Sequence, residues 1–157
     1  MRFEVSTPAF VAGGNIPFKH TCDGADVSPA LDWTAPPVGT VSLALIVDDP
    51  DAPGRTWVHW VVYNIPPAER GLPEGVEARA ALPSGARQGT NDFGRIGYGG
   101  PCPPPGPAHR YFFRLYALDT TVELRSGSKR PALDAAMNGH VLASGELLGR
   151  YQRASRR

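Results

Sequence analysis

Apolar residues in this chain fall into short runs separated by glycine, proline, asparagine and aspartate, residues that break strands for backbone reasons. Six runs read as β-strands: 3–5, 30–33, 42–47, 57–64, 109–118 and 122–124. Runs 42–47 and 109–118 hold consecutive apolar residues, the pattern of strands covered on both faces, so a two-layer β architecture is expected. Only 131–144 reads helical. It has Ser128 as a candidate cap, Pro131 in the first turn, and Leu133, Met137 and Val141 at four-residue intervals, with Gly139 positioned to split it. Residues 147–152 read as a returning strand in preference to a last helical turn. No repeat or linker divides the chain, which predicts a single domain over 1–151 and a short, solvated basic tail over 152–157.

Composition narrows the function classes. The chain has 157 residues, with 16 Lys and Arg against 15 Asp and Glu, and the formal charge of +1 lacks the basic footprint of a nucleic-acid binder. Gly 18 and Pro 17 imply many turns, while 41% hydrophobic residues argue against wholesale disorder. The opening residues carry no apolar stretch of signal-peptide length, and the longest apolar run, 43–47, is far below the roughly 20 residues that span a bilayer. Neither a basic amphipathic helix nor a lipidation signal is present, so stable membrane insertion is not expected. A soluble, cytoplasmic protein is the expectation. Cys22 and Cys102 form no C-x-x-C pair, which excludes zinc ribbons and thioredoxin chemistry and suits a reducing compartment.

Four segments carry candidate chemistry. Asp48, Asp49 and Asp51, stiffened by Pro50 and Pro53, repel one another unless a cation, donors or solvent compensates; an acidic surface turn is the plainer alternative. In the segment 57–63, strict alternation would place Trp57, His59 and Val61 on one face and Val58, Trp60 and Val62 on the other. A histidine among such neighbours must be paired, and a satisfied core histidine is the commoner case. The glycines of 94–106 miss the G-x-G-x-x-G spacing and lead into prolines, leaving either an anion nest or a stiff connection. In 109–116, His109, Tyr111 and Phe113 share one strand face, opposite Arg110, Phe112 and Arg114.

Together these residues resemble one family. D-P-D-A-P at 49–53, W-V-H-W at 57–60, G-Y-G-G-P-C-P-P at 97–104 and H-R-Y at 109–111 resemble the phosphatidylethanolamine-binding proteins, in particular their bacterial and archaeal Raf-kinase-inhibitor-like branch. T-C-D-G at 21–24, S-P-A-L-D-W at 28–33, N-I-P at 64–66, N-D-F-G at 91–94 and G-H-V-L-A at 139–143 add to the likeness, which runs in order from about residue 20 to 151. The resemblance implies a mainly β fold, an antiparallel two-sheet β-sandwich with one or two short helices near the C-terminus. It also implies a small pocket for phosphate, phosphorylated headgroups and similar anions. Carried onto this chain, Asp49 would accept and orient a histidine, and His59 and His109 would donate. Gly100 and Pro101 would form a wall offering a backbone N–H, and Tyr111 would offer its hydroxyl. Asp51 and Pro53 would support the wall, with Ala52-Pro53 the candidate for a cis peptide. If both histidines act as charged donors, anion affinity should tighten between about pH 7.5 and 6.

Enzyme readings are weaker. Two Asp and two His lack a metal-binding spacing, so neither metal nor cofactor is expected. Cys102 with His109 as nucleophile and base has no identifiable third member. The two cysteines flank segments heading for the same pocket, which leaves a Cys22–Cys102 disulfide and two free thiols both open. His20 reads as part of a polar turn, His140 as lying on or after the helix, Asn91-Asp92 as turn chemistry, and Arg55 and Arg95 as candidate rim residues. The expected function is non-enzymatic, regulatory binding of a phosphorylated small molecule or side chain. The alternative is a protease or kinase inhibitor acting through surface loops. The resemblance to bacterial members implies a homodimer as the assembly, and any protein target is unspecified. Residues after 151 show no helical pattern like the C-terminal extension of larger eukaryotic members, so their lipid and kinase activities are not implied.

Overall fold

Residues 3–153 are described by the computed structural model of the chain, and five of the six apolar runs are strands in it. In chain order the strands are β1 (Val5–Ser6), β2 (Leu31–Trp33), β3 (Ser42–Asp49), β4 (Trp57–Ile65), β5 (Gly71–Leu72), β6 (Arg87–Gln88), β7 (His109–Leu118) and β8 (Val141–Tyr151). One sheet has the order β6-β4-β3-β7-β8 and the other β1-β2-β5, and every pairing between these strands is antiparallel. The expected two-sheet architecture is therefore what forms, with helix α1 (Arg130–Met137) and a short 3-10 turn at Phe18–His20.

The continuous apolar run of β3 has a direct cause. All eight of its positions are buried, because it is the middle strand of the larger sheet and both of its faces are covered. Leu43, Leu45 and Val47 pack towards the smaller sheet with Leu31, Trp33, Trp60 and Phe113. Ala44 and Ile46 pack on the other side with Val61, Tyr63, Leu133 and Met137, which puts α1 against the outer face of the larger sheet. β7 differs from expectation: Arg110 is exposed and Phe112 and Arg114 are half-buried, so this strand is fully covered on one face only.

The helix is shorter than its periodicity suggests. Leu133 and Met137 are buried, but Val141 is 46% exposed and already begins β8. Gly139, at φ 82°, reverses the chain, and the His140 N–H closes the end on the Met137 carbonyl at 2.9 Å. Lys129, not Ser128, is the N-cap residue; the Ser128 hydroxyl donates to the Arg125 carbonyl instead. The strand expected over 147–152 is present and extends back to Val141. Run 122–124 is no strand. The Asn64 side chain takes both backbone groups of Val122, each at 2.9 Å, and so replaces a ladder. β5 and β6, two residues each, have no period to be read. Of the expected tail, Gln152 donates to the Gly106 carbonyl and Arg153 pairs with Asp23, so these two are anchored; 154–157 lie outside the described residues.

Candidate functional site

The acidic segment resolves its repulsion by giving each carboxylate its own donors. Period-two alternation on β3 sends Asp48 to the helix side, where Arg114 (3.0 Å) and Arg130 (2.6 Å) donate to it. Asp49 faces the sandwich, accepting from His109 Nδ1 at 2.7 Å and from the Asp51 backbone N–H at 2.8 Å. Asp51 accepts the backbone N–H, Nε and Nη2 of Arg110, each at 2.9 Å, and the guanidinium contact holds its pKa down at about 2. The turn is closed by the Asp49 side chain. No cis peptide occurs among the described residues, which corrects the expectation at Ala52-Pro53.

A β-bulge in β4 delivers His59. Asp48 pairs with Val58 and Val47 with Trp60, so His59 is the extra residue between them. Strict alternation fails here: Trp60 packs in the core between the sheets while Val58 and Val61 share the helix-side cluster. His59 thereby reaches Tyr111, with ring centroids 5.3 Å apart. Its Nδ1–H donates to the Gly99 carbonyl at 2.7 Å. Burial lowers its pKa, outweighing the Gly99 carbonyl and the Asp49 charge that favour protonation. This corrects the expectation of a charged donor: His59 is neutral near pH 7, and its Nε2 has no hydrogen-bond partner among the described residues.

These groups converge on a cavity of about 230 Å³. Asp49, His59, His109 and Tyr111 line it as expected, with Pro53 and Ala52 at the wall. Trp57, Phe93, Cys102, Pro103 and Pro104 complete it. Two buried polar atoms of lining residues have no hydrogen-bond partner among the described residues: Trp57 Nε1 and the Tyr111 hydroxyl. Burial first, and the Asp49 charge second, hold that hydroxyl protonated. No three His, Cys, Asp or Glu side chains among the described residues gather into a metal site.

The 97–104 wall is built differently from expectation. The Gly100 N–H is committed to Asp26 Oδ1 at 2.8 Å, and Cys102, Pro103 and Pro104, not Gly100 and Pro101, face the cavity. Gly100 is needed for close approach, since a Cβ there would stand 2.2 Å from the His20 carbonyl oxygen. His20 is not on a polar turn surface but fully buried, its Nδ1 on the Val27 carbonyl and its own carbonyl accepting from the Tyr98 hydroxyl. Cys22 and Cys102 are joined in a disulfide, which removes Cys102 as a nucleophile and with it the support that free thiols gave to a reducing compartment. His140 lies after α1 and pairs with Asp119 at 2.7 Å on the surface.

Asn91 performs the expected turn chemistry, its Oδ1 accepting the Phe93 and Arg95 N–H groups, but Asp92 does not: its Oδ2 accepts the N–H of Val58, 34 residues away. Arg55 and Arg95 stand over the rings of Trp57 and Phe93, at 5.2 and 5.6 Å, so both cap aromatic rings of the cavity wall. Trp57 and Phe93 sit inside motifs that sequence reading had already singled out, W-V-H-W and N-D-F-G; Asp26 has no such signal. A larger cleft of about 510 Å³ opens across β3, beside Asp48, but its arginines are already met: Arg55 by Asp92, Arg114 by Asp48 and Glu146, Arg130 by Asp48 and Asp134.

The phosphatidylethanolamine-binding protein profile matches residues 6–152. The chain belongs to the phosphatidylethanolamine-binding protein family. A UPF0098 protein of Methanothermobacter thermautotrophicus is 52% identical over 150 residues, spanning 96% of this chain and 99% of the relative. Another from Aquifex aeolicus is 48% identical, over 96% of this chain and 88% of its own. Among solved structures, Escherichia coli YbcL, described as a member of the mammalian family, superposes with a TM-score of 0.90 at 37% identity, over 98% of this chain and 99% of its own. The homologue CT736 of Chlamydia trachomatis gives 0.88 at 39%, over 97% and 98%. No helix among the described residues is long and apolar enough to cross a membrane.

Proposed function

We propose that this member of the phosphatidylethanolamine-binding protein family binds a phosphate group, free or on a small phosphomonoester, in the 230 Å³ cavity, without turning it over. The observation that carries the reading is the pair of buried, unpartnered donors on lining residues, Trp57 Nε1–H and Tyr111 O–H. Buried donors are ordinarily satisfied, and a phosphate oxygen supplies what each lacks. His109, pinned through Nδ1 to Asp49, presents Nε2 and, when protonated, a second N–H and a positive charge. Neutral His59 has spent its proton on Gly99, so its Nε2 accepts a hydrogen bond; it suits the P–O–H of a monoanion over a fully ionised phosphate. The lining's one cysteine is oxidised, so no thiolate there can attack a bound phosphate, which supports binding without covalent transfer to sulfur.

The test is calorimetric titration of the wild type and His109→Ala with inorganic phosphate and O-phosphoethanolamine at pH 6.5. The wild type should bind, and the variant should bind at least about tenfold more weakly, the loss of one charge-assisted hydrogen bond. A folded wild type that binds neither compound, or a variant that binds equally well, overturns the reading.

A further inference from the structure

The Cys22–Cys102 bridge is not symmetric. Cys102 is exposed, held between Pro101 and Pro103, and faces the cavity; Cys22 is half-buried. The Arg153 guanidinium donates from Nη2 to Cys22 Sγ at 3.3 Å. Asp23 fixes that guanidinium by accepting from its Nε at 3.1 Å and its Nη2 at 2.8 Å, while the Tyr151 hydroxyl donates to the other Asp23 oxygen at 2.6 Å. Asp23 and Arg153 compensate each other's charge, and what reaches the sulfur is a guanidinium N–H held in place by that ion pair.

We propose that this disulfide is a directed thiol-exchange site. A low-molecular-weight thiolate attacks Cys102 Sγ, the sulfur on the exposed side, and forms a new S–S bond to it. The Cys22–Cys102 bond breaks and its electron pair goes to Cys22 Sγ, which leaves as a thiolate against Arg153. A second equivalent of thiol, attacking the adduct, releases the oxidised small disulfide and leaves both cysteines reduced. Two features set the direction. Access favours attack on Cys102, and exchange is faster when the departing thiol has the lower pKa, which a neighbouring guanidinium provides. The product carries the small thiol at the cavity wall, beside Pro103 and Pro104.

The experiment exposes the folded, oxidised protein to reduced glutathione, traps free thiols by alkylation at intervals, and maps both cysteines by peptide mass spectrometry. The expected result is glutathione on Cys102 and the alkyl group on Cys22, in at least about tenfold excess over the reverse. Glutathione on Cys22, equal labelling of both, or reaction only after denaturation overturns the proposal. Arg153→Met should slow adduct formation measurably, because the departing Cys22 sulfur loses the guanidinium N–H that eases its departure as a thiolate; an unchanged rate would also overturn it. Neither readout requires the cavity to bind phosphate, so it stands or falls separately from the proposed function.

Discussion

Replacing Tyr111 by phenylalanine separates a binding hydroxyl from a structural one, because the two roles predict opposite signs. The Tyr111 ring is 1% exposed, packed in the core between the sheets and edge-on to His59 at 5.3 Å, and phenylalanine keeps all of that contact. Only the oxygen is lost, and it is buried without a hydrogen-bond partner among the described residues. An unsatisfied buried donor costs about 1–3 kcal/mol, and the lower end applies here because the nearby Asp49 charge partly compensates the hydroxyl dipole. The apo variant should therefore be more stable by about 1 kcal/mol, a rise in Tm of about 2–4 °C for a domain of this size. Phosphate loses a hydrogen bond to a charged acceptor, about 1.5–3 kcal/mol, so Kd should weaken about ten- to a hundredfold. Thermal melts without ligand and titration with phosphate read the two effects on one sample. A variant that melts lower than wild type and binds phosphate equally well would refute the reasoning, since its hydroxyl would then be holding the core together.

Three further outcomes follow from the geometry of the fold. Converting both Cys22 and Cys102 to serine opens a loop of 80 residues, and the chain-entropy relation puts the loss near 4.5 kcal/mol, to be read by urea unfolding; a loss below about 1 kcal/mol would show that the bridge does not constrain the unfolded chain. Asp51→Asn should cost about 1 kcal/mol at pH 7, discounted for solvent screening of the half-exposed Arg110 pair. Because the folded pKa of Asp51 is depressed to about 2, that contribution is complete above about pH 4 and fades as pH falls towards 2, so wild type and variant should converge in stability over that window and their failure to do so would refute the assignment. His59 resists protonation in the fold, whereas the unfolded chain takes up a proton near pH 6.5; stability should be full above that pH and decline below it, and His59→Gln should flatten the decline in unfolding midpoints taken from pH 7.5 to 5. Parallel profiles for the two proteins would count against a neutral His59.

What sequence reading captured, and what it missed, follows the range of the interactions involved. β3 and β7 were legible because long apolar or alternating runs report burial directly, and His109 and Tyr111 share a face because β7 keeps its register with β8 from His109 to Ala117. The end of α1 was misplaced because Val141 sits at a helical interval yet belongs to β8, and only the reversal at Gly139 tells the two apart. The Gly100 N–H looked available in a glycine-rich loop. Its partner, Asp26, lies 74 residues away and carries no pattern that marks it.

The bulge at His59 is the most instructive miss, because the same local defect creates the site. Alternation from Trp60 backwards would turn His59 towards the helix side, where Val58 and Val61 lie and where Asp48 is already taken up by Arg114 and Arg130. One inserted residue places the imidazole among Tyr111, Phe93 and the Gly99 carbonyl instead. The Gly99 N–H bonds in turn to the His59 carbonyl at 2.9 Å, so the bulged residue and the glycine loop hold each other through both backbone and ring. The ring's tautomer and its free Nε2 are consequences of that mutual grip, while burial lowers its pKa against the Gly99 carbonyl, which favours protonation. Which nitrogen of His59 accepts is thus set by the backbone of a loop 40 residues away and its neutrality by burial, and the W-V-H-W motif alone reveals neither.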